Sequence, residues 1–407
     1  MEVRSGDKNA DMAVLPEDWR LRPLLSAVRV ATGQVDPKVE PYRSMTLVAP
    51  DHIESGTGRL LKKETAVEQR AISGKYLFRR GDIVYSKIRP YLRKAILADF
   101  EGLCSADMYP LKPAPDVSAG FMLAIILGHG FSTFAESVSI RSGMPKINRA
   151  ELAEYMVPLP PTKAEQEAIA EALGDADALI ESLERLVAKT RQLKQGAMQE
   201  LLTGKQRLPG FSGAWEVKRL GEITDTDPEN LGTDTSPNFA FNYIALEEID
   251  VGTLRGYSEQ VYRTAPSRAR RKLRRYDVLV STVRPNLMSH LLFSEEGGNW
   301  VCSTGFCVIR CKNGITYPSY IYFHMFSDDI ARQIEALLTG SNYPAINSGD
   351  VRALQVPFPG YEEQSAIAAV LSDMDADIAA LEAKLAKAPQ LKQGMMQELL
   401  TGRIRLV

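Results

Sequence analysis

Residues 192–205 read QLKQGAMQELLTGK, and residues 390–403 read QLKQGMMQELLTGR. Only Ala197/Met395 and Lys205/Arg403 differ, at a constant offset of 198 residues. An internal repeat decides the architecture before any local reading does. The likeness runs upstream: Ile169, Leu173, Ala176, Ile180, Leu183 and Val187 step by 4, 3, 4, 3, 4, as do Ile367, Leu371, Met374, Ile378, Leu381 and Leu385. Apolar residues about 3.5 positions apart line one side of a helix, and such a seam needs a partner. The matching seam is the natural one. The first helix leads into the second half of the chain and the second helix follows it, so paired seams run antiparallel and bring the last residues back to the first half.

The chain has 407 residues, 44% apolar and 25% charged, with a net charge of −2. That length suits several packed units, and the composition argues against disorder. The longest apolar run, Phe121 to Leu127, is too short to cross a bilayer. MEVRSGDKNADMAV has no apolar signal core, so no membrane role and a cytosolic address are expected. Four cysteines make no disulfide framework. Cys302, Cys307 and Cys311 lie close together, but without a Cys-x-x-Cys pair or a spaced His no metal is expected.

Residues 1–15 read as a loose tail. Leu15-Pro16-Glu17-Asp18-Trp19 opens one block and Phe211-Ser212-Gly213-Ala214-Trp215 opens a second. Short alternating segments, Lys75–Phe78 and Asp82–Lys87, read as strands split by Gly81 and ended by Pro90. RRGDIVYSKIRP (79–90) lines up with RRYDVLVSTVRP (274–285), and Gly102 to Pro110 matches Trp300 to Ile309. A helical stretch follows in each block, 118–136 and 318–338, then a loop carrying Ser142 to Asn148 or Ser341 to Asn347. Stiff proline runs, Val157-Pro158-Leu159-Pro160-Pro161 and Val356-Pro357-Phe358-Pro359, lead into Glu165-Gln166 and Glu363-Gln364. Thr162 and Glu165 have capping-box spacing, and Gly204 and Gly402 are stops. Pro389 stands where the first copy has Arg191, which predicts a kink or a shorter second helix. The expected fold class is α+β: two repeated α/β domains separated by two long antiparallel coiled-coil helices, pseudo-twofold, with boundaries at 1–157, 158–210, 211–356 and 357–407.

No catalytic constellation emerges. There is no G-x-x-x-x-G-K-[ST] phosphate loop, and Gly56-Thr57-Gly58 is not continued as a dinucleotide fingerprint. The Asn/Asp-Pro-Pro-aromatic tetrapeptide of amino-methyltransferases is absent. His52, His129, His290 and His324 are scattered, which leaves no Ser/His/Asp site. Asp18 with Asp36-x-Lys38 only loosely imitates a nuclease pattern. Positive charge, in contrast, is clustered. Residues 59–94 are rich in Lys and Arg, and 263–275 hold seven of them with no acid. Basic patches on a near-neutral chain are the electrostatic footprint of phosphate.

The doubled proline–Glu-Gln–helix unit, ending in QLKQG-x-MQELLTG, resembles the DNA-specificity subunit of type I restriction-modification enzymes, from about Trp19 to Leu406. The resemblance implies two target-recognition domains, each reading half of a bipartite asymmetric site in double-stranded DNA, with the helices as ruler. It implies a role in DNA methylation and host defence without catalysis in this chain. DNA adenine methyltransferase subunits would dock along the helices and bring S-adenosylmethionine; motor-endonuclease restriction subunits would bring ATP and Mg²⁺. No cofactor is expected on this chain. Phosphate contacts position and base contacts specify. The expected phosphate residues are Lys62, Lys63, Arg79, Arg80, Arg93 and Lys94 in the first domain, and Arg268, Arg270, Arg271, Lys272, Arg274 and Arg275 in the second. The expected base readers are Lys87, Arg89, Tyr91, Ser142 and Lys146, then Arg284, Asn286, Ser341, Asn342 and Tyr343. Helix pairing is assigned to Ile169, Leu173, Ile180, Leu183 and Val187 against Ile367, Leu371, Met374, Ile378, Leu381 and Leu385. Tyr276, where the first domain has Gly81, is a departure. The competing readings are a paired-head scaffold for peptide or RNA and a stand-alone DNA-modifying enzyme.

Overall fold

A computed structural model describes residues 15–139, 143–338 and 344–406. The chain forms two compact units, Met1–Glu184 with Ala383–Val407, and Arg185–Glu382. The tail expected over 1–15 lies outside the described residues apart from Leu15. Each unit contains one α/β head, the beginning of one long helix and the end of the other. The long helices are Lys163–Leu201 and Tyr361–Leu399, each of 39 residues.

In the first head the strands Val28–Val30, Met108–Pro113, Ile83–Ser86 and Ala95–Leu97 form an antiparallel sheet in that order. A smaller sheet orders Leu47–Val48, Gly102–Cys104 and Tyr76–Phe78. The second head repeats the larger sheet with Thr224–Thr226, Phe306–Cys311, Val278–Ser281 and Leu291–Leu292. Its other sheet runs Ser258–Val261, Ala240–Ile244, Trp300–Ser303 and Ala269–Leu273. In each head the proline-bearing strand, Met156–Leu159 or Gln355–Phe358, pairs with the strand after the opening tryptophan, Arg20–Pro23 or Glu216–Arg219.

The stretches 118–136 and 318–338 are each two helices rather than one. Ala119–Leu127 and His129–Ser139 meet at Gly128, whose extended backbone (ψ 160°) interrupts the run; Pro318–His324 and Asp328–Leu337 are separated where Ser327 starts the second by capping Ile330. An uninterrupted apolar pattern hid both breaks. No single helix among the described residues is long and apolar enough to cross a membrane.

Both units close their cores with the two helices together. In the first, Phe121, Phe131, Tyr85 and Leu111 pack in one cluster with Ile169 and Leu173 from the first helix and Leu399 and Leu400 from the second. In the second, Tyr320, Ile321, Val278 and Ile309 share a cluster with Met198, Leu201 and Leu202 from the first helix and Ile367 and Leu371 from the second. The start of one helix lies against the end of the other, which makes the pair antiparallel within each unit. Ile169, Leu173, Val187, Ile367, Leu371 and Ile378 are buried, and Ala176, Ile180, Leu183, Met374, Leu381 and Leu385 are half-buried. Leu179, Leu186, Leu193 and Leu391, off the seam, are exposed.

Continuing the seam by its own spacing reaches Lys194 and Lys392, which stand at the repeat offset from one another. Lys392 Nζ donates to both carboxylate oxygens of Asp177, at 2.6 and 2.7 Å, and Lys194 pairs with Asp375, the repeat equivalent. An ion pair at a seam position costs desolvation but penalises any other register, the best-attested use of such groups in paired helices. The second helix keeps its full length through Pro389, so the expected shortening does not occur. The ring removes a single N–H, and packing of the flanking Leu385 and Ala388 carries the helix past it.

The Glu-Gln pairs fasten heads to helices. Gln166 accepts from Ser118 N–H at 2.8 Å and Gln364 from Tyr317 N–H at 2.9 Å, so each holds the start of a head helix. Glu165 accepts from Arg405, which also forks onto Asp18 at 2.9 and 3.0 Å and covers the Trp19 ring. These bonds raise the Arg405 guanidinium and hold Asp18 below the usual carboxylate range. Glu363 likewise takes Arg207 at 2.6 and 2.7 Å, while Trp215 Nε1 donates to it at 3.1 Å. The capping box is therefore half-made: Thr162 accepts from Glu165 N–H at 3.2 Å, but the Glu165 carboxylate is engaged by Arg405.

The matched turns Arg79–Asp82 and Arg274–Asp277 keep one shape with different residues. In both, the aspartate accepts from the first arginine's N–H at 2.8 Å, and the third residue has positive φ: Gly81 at 90°, Tyr276 at 70°. The departure at Tyr276 leaves the turn intact and places a side chain in left-handed backbone, which costs roughly 1–2 kcal/mol. Tyr276→Gly is expected to be neutral or stabilising in urea denaturation. Gly81→Ala, whose new Cβ meets nothing within 4 Å, is expected to lose about 1 kcal/mol from backbone alone.

The second unit also buries two imidazoles. Burial alone lowers His290 to about 4 and His324 to about 3. Both are neutral in the fold, so their stabilising effect is complete above the unfolded value of about 6.5 and is lost as pH falls through the folded values. Between pH 7 and pH 5 the second unit is expected to lose about 3 to 4 kcal/mol from these two groups. Urea midpoints at the two pH values measure it, and His324→Phe should flatten the dependence.

Candidate nucleic-acid interface

Each head carries an Arg-Pro-x-Leu turn directly after the central strand of its larger sheet. Pro90–Leu92 and Pro285–Leu287 are single 3-10 turns bounded on both sides by left-handed residues: Arg89 (φ 47°) and Arg93 (45°), Arg284 (50°) and Met288 (51°). Four side-chain-bearing residues in that region are an unusual concentration of backbone strain, roughly 1 kcal/mol or more each, which persists only where surroundings over-determine it. Those surroundings are hydrogen bonds. Arg89 N–H donates to Pro145 O at 2.8 Å and Ile147 N–H to Lys87 O at 2.9 Å. Arg284 N–H donates to Pro344 O and Ile346 N–H to Thr282 O at the same distances. Ser86 Oγ and Ser281 Oγ tie down the carbonyls of Ile88 and Val283. The two loops that stood apart in sequence are thus one paired edge in each head.

This edge is where the first head gathers Arg89, Tyr91 and Lys146, all exposed. Lys87 lies just inside it, half-buried, with its ammonium 5.2 Å from the Tyr109 ring centre; Arg149 covers the same ring at 5.7 Å. Burial raises the Tyr109 hydroxyl despite Arg149 beside it. In the second head Arg284 and Asn286 are exposed at the equivalent edge, where Arg268 also arrives through the bond from Thr304 N–H to its carbonyl. Ser142, Ser341, Asn342 and Tyr343 lie outside the described residues.

The other basic candidates are dispersed. Arg79 and Arg80, exposed, sit on the turn at the opposite end of the strand Ile83–Ser86, as Arg274 and Arg275 do before Val278–Ser281. Arg274 pairs with Glu229, and Arg275 with Glu296 while covering the Tyr276 ring. Lys62 donates to Glu64 at 2.6 Å, a bond that raises the ammonium, and Lys63 sits 4.5 Å above the Phe100 ring. Lys94 is half-buried and donates to Pro50 O at 2.7 Å. Arg93 is half-buried with its guanidinium beside Gly56, and it lines a cavity of about 200 Å³ with Met396 and Leu400. Arg271 pairs with Asp227 and donates to Ser348; Arg270 covers Tyr262 at 5.0 Å; Lys272 is half-buried. A basic count along the sequence does not separate such internally engaged cations from those at an edge. The residues that sequence reading passed over are the helix-end anchors Arg207 and Arg405 and the seam lysines Lys194 and Lys392. Their signal was the repeat offset itself, which both pairs obey.

No cluster of His, Cys, Asp or Glu among the described residues has metal-binding geometry. Cys104, Cys302 and Cys307 are buried and burial pushes their thiols up, Cys307 to about 12, so they are inert packing groups.

Two heads of like design, joined to paired helices and each showing a strained polar edge, define a two-site binding protein. A family model for the type I restriction modification DNA specificity domain matches residues 53–191 and 213–390. The specificity subunit of the type I restriction enzyme EcoDI from Escherichia coli is 31% identical over 201 residues, 49% of this chain and 44% of that protein. A putative type I MjaX specificity subunit from Methanocaldococcus jannaschii is 24% identical over 98% of this chain and 96% of its own length. In fold, the chain resembles the HsdS subunit from Thermoanaerobacter tengcongensis, with a TM-score of 0.52, 22% identity, and coverage of 96% of this chain and 98% of that one. The chain belongs to the type I restriction-modification DNA specificity family.

If the seryl and prolyl bonds at the edge hold its shape, Ser281→Ala should release the Val283 carbonyl from its 2.8 Å bond. The expected loss is about 1 kcal/mol in denaturation, with faster amide exchange at Arg284 and Ile346.

Proposed function

We propose that each head reads one half of a bipartite, asymmetric site in double-stranded DNA, and that the paired helices set the spacing between the halves. The observation that carries this reading is the duplicated edge: one backbone presented twice, with different exposed side chains at its tip. One protein reading two different half-sites needs that combination. Phosphate contacts from exposed arginines, such as Arg79 and Arg80, would orient each head without selecting sequence. The chain would do no chemistry itself. Methyltransferase subunits would supply S-adenosylmethionine, and a motor-endonuclease subunit ATP and Mg²⁺, in the cytosol.

The test is co-expression with a cognate type I methyltransferase subunit, followed by sequencing of methylated host DNA. A bipartite motif that disappears when this chain is deleted is the expected result. Replacing residues 211–356 with another head should change one half of that motif and leave the other intact. A stable complex with an active methyltransferase that produces no motif would sink the reading. Arg79→Ala combined with Arg80→Ala should weaken binding evenly across sequences and reduce the slope of log affinity against log salt by about 1 to 2.

A further inference from the structure

The two heads provide an internal comparison, because the same backbone is built twice from partly different residues. Positions that determine the shape of the edge are identical in both copies: Ser86/Ser281, Pro90/Pro285, Leu92/Leu287, Pro145/Pro344, Ile147/Ile346 and Asn148/Asn347. Arg89/Arg284 is identical too, and both are exposed. A side chain shared by two heads cannot be what makes them read different sequences.

Over 86–94 and 145–148, matched to 281–289 and 344–347, six positions differ, and the structure removes four of them, the first being Ile88 and Val283, which are aliphatic and half-buried. Thr282, opposite Lys87, is buried and donates to Gly305 O at 2.8 Å. Arg93, opposite Met288, is half-buried with its guanidinium beside Gly56, and Lys94, opposite Ser289, is engaged by Pro50 O. What is left is Tyr91 against Asn286 and Lys146 against Ala345. Tyr91 is 50% exposed and Lys146 and Asn286 are exposed, all on the paired edge.

We infer that specificity is divided by position within the edge: Tyr91 and Lys146 select bases in the first half-site and Asn286 in the second, while Arg89 and Arg284 contact phosphate and position both heads alike. This rests on the proposed reading of DNA by the two heads. The chemistry fits the division. An asparagine amide presents a donor and an acceptor that match the adenine edge in the major groove, and a lysine ammonium donates to the guanine O6 and N7 acceptors. A tyrosine offers one hydroxyl and an apolar ring face that suits the thymine methyl. An arginine in left-handed backbone, with its N–H bonded to the neighbouring loop, starts from a main chain fixed before the duplex arrives, which lowers the cost of bringing its exposed guanidinium to a phosphate.

The experiment uses the full chain co-expressed with its methyltransferase, and reads the methylated motif of the host genome for wild type, Tyr91→Asn, Asn286→Ala and Arg89→Gln. The substituted side chains are exposed, and a thermal melt of each complex verifies folding. Asn286→Ala is expected to relax one base position in one half by about 10- to 100-fold. Tyr91→Asn should change a position in the other half. Arg89→Gln should lower methylation at every site without altering the motif. An unchanged motif in both Tyr91→Asn and Asn286→Ala, with the wild-type motif present, overturns the division of labour, as does a shifted motif in Arg89→Gln. A wild-type chain that directs no motif overturns instead the function on which the inference stands.

Discussion

Everything in each unit depends on one long helix beginning where the other ends. Neither head completes its core alone. Ile169 and Leu173 need Leu399 and Leu400 beside them, and Ile367 and Leu371 need Met198, Leu201 and Leu202. The contact is apolar in its bulk and ionic at its ends. The seam supplies burial, which is indifferent to register, and the Lys–Asp and Arg–Glu pairs supply discrimination between registers. Glu165 and Glu363 occupy the first turns of the helices, where the helix dipole already favours a carboxylate. The same two residues also clamp the end of the partner helix. A single acidic position therefore starts one helix and stops the other from sliding.

Much of this architecture was legible in the sequence because repetition is a strong signal. The 3.5-residue seams, the glycine stops, the proline strands before each helix and the strand pairs around Gly81 and Tyr276 all follow from spacing and local residue chemistry. The returning helix was deduced from chain order alone. The misreadings have one cause, in that local pattern outweighed three-dimensional context. An apolar run concealed the breaks at Gly128 and before Ser327, and of the kink or shortening that Pro389 announced, the shortening does not occur because packing sustains the helix.

The interface was less legible than the frame. Sequence placed Arg89, Tyr91, Arg284 and Asn286 near a strand end, and spacing alone marked the second loop. It could not show that the two loops pair, because Arg89 and Pro145 meet through backbone atoms that carry no residue signature. Nor could it sort the cations. Lys94 and Arg271 look like any other basic residue until their partners Pro50 and Asp227 are seen. A charge used internally is indistinguishable in sequence from one offered to a ligand, and only position in the fold separates them.

The units also differ in how they are threaded. Arg185–Glu382 is a continuous piece of chain, whereas the other unit joins Met1–Glu184 to Ala383–Val407. Pairing Arg405 with Asp18 spans a separation of 387 residues, and loop-closure entropy and contact order both make such contacts late. On a ribosome, the apolar surface around Ile125 and Leu127 waits for Leu399 and Leu400, which are made only after the second unit already has every strand and helix it needs. The head that is translated first is the last to be finished, and it is the one exposed to misassembly in the interval.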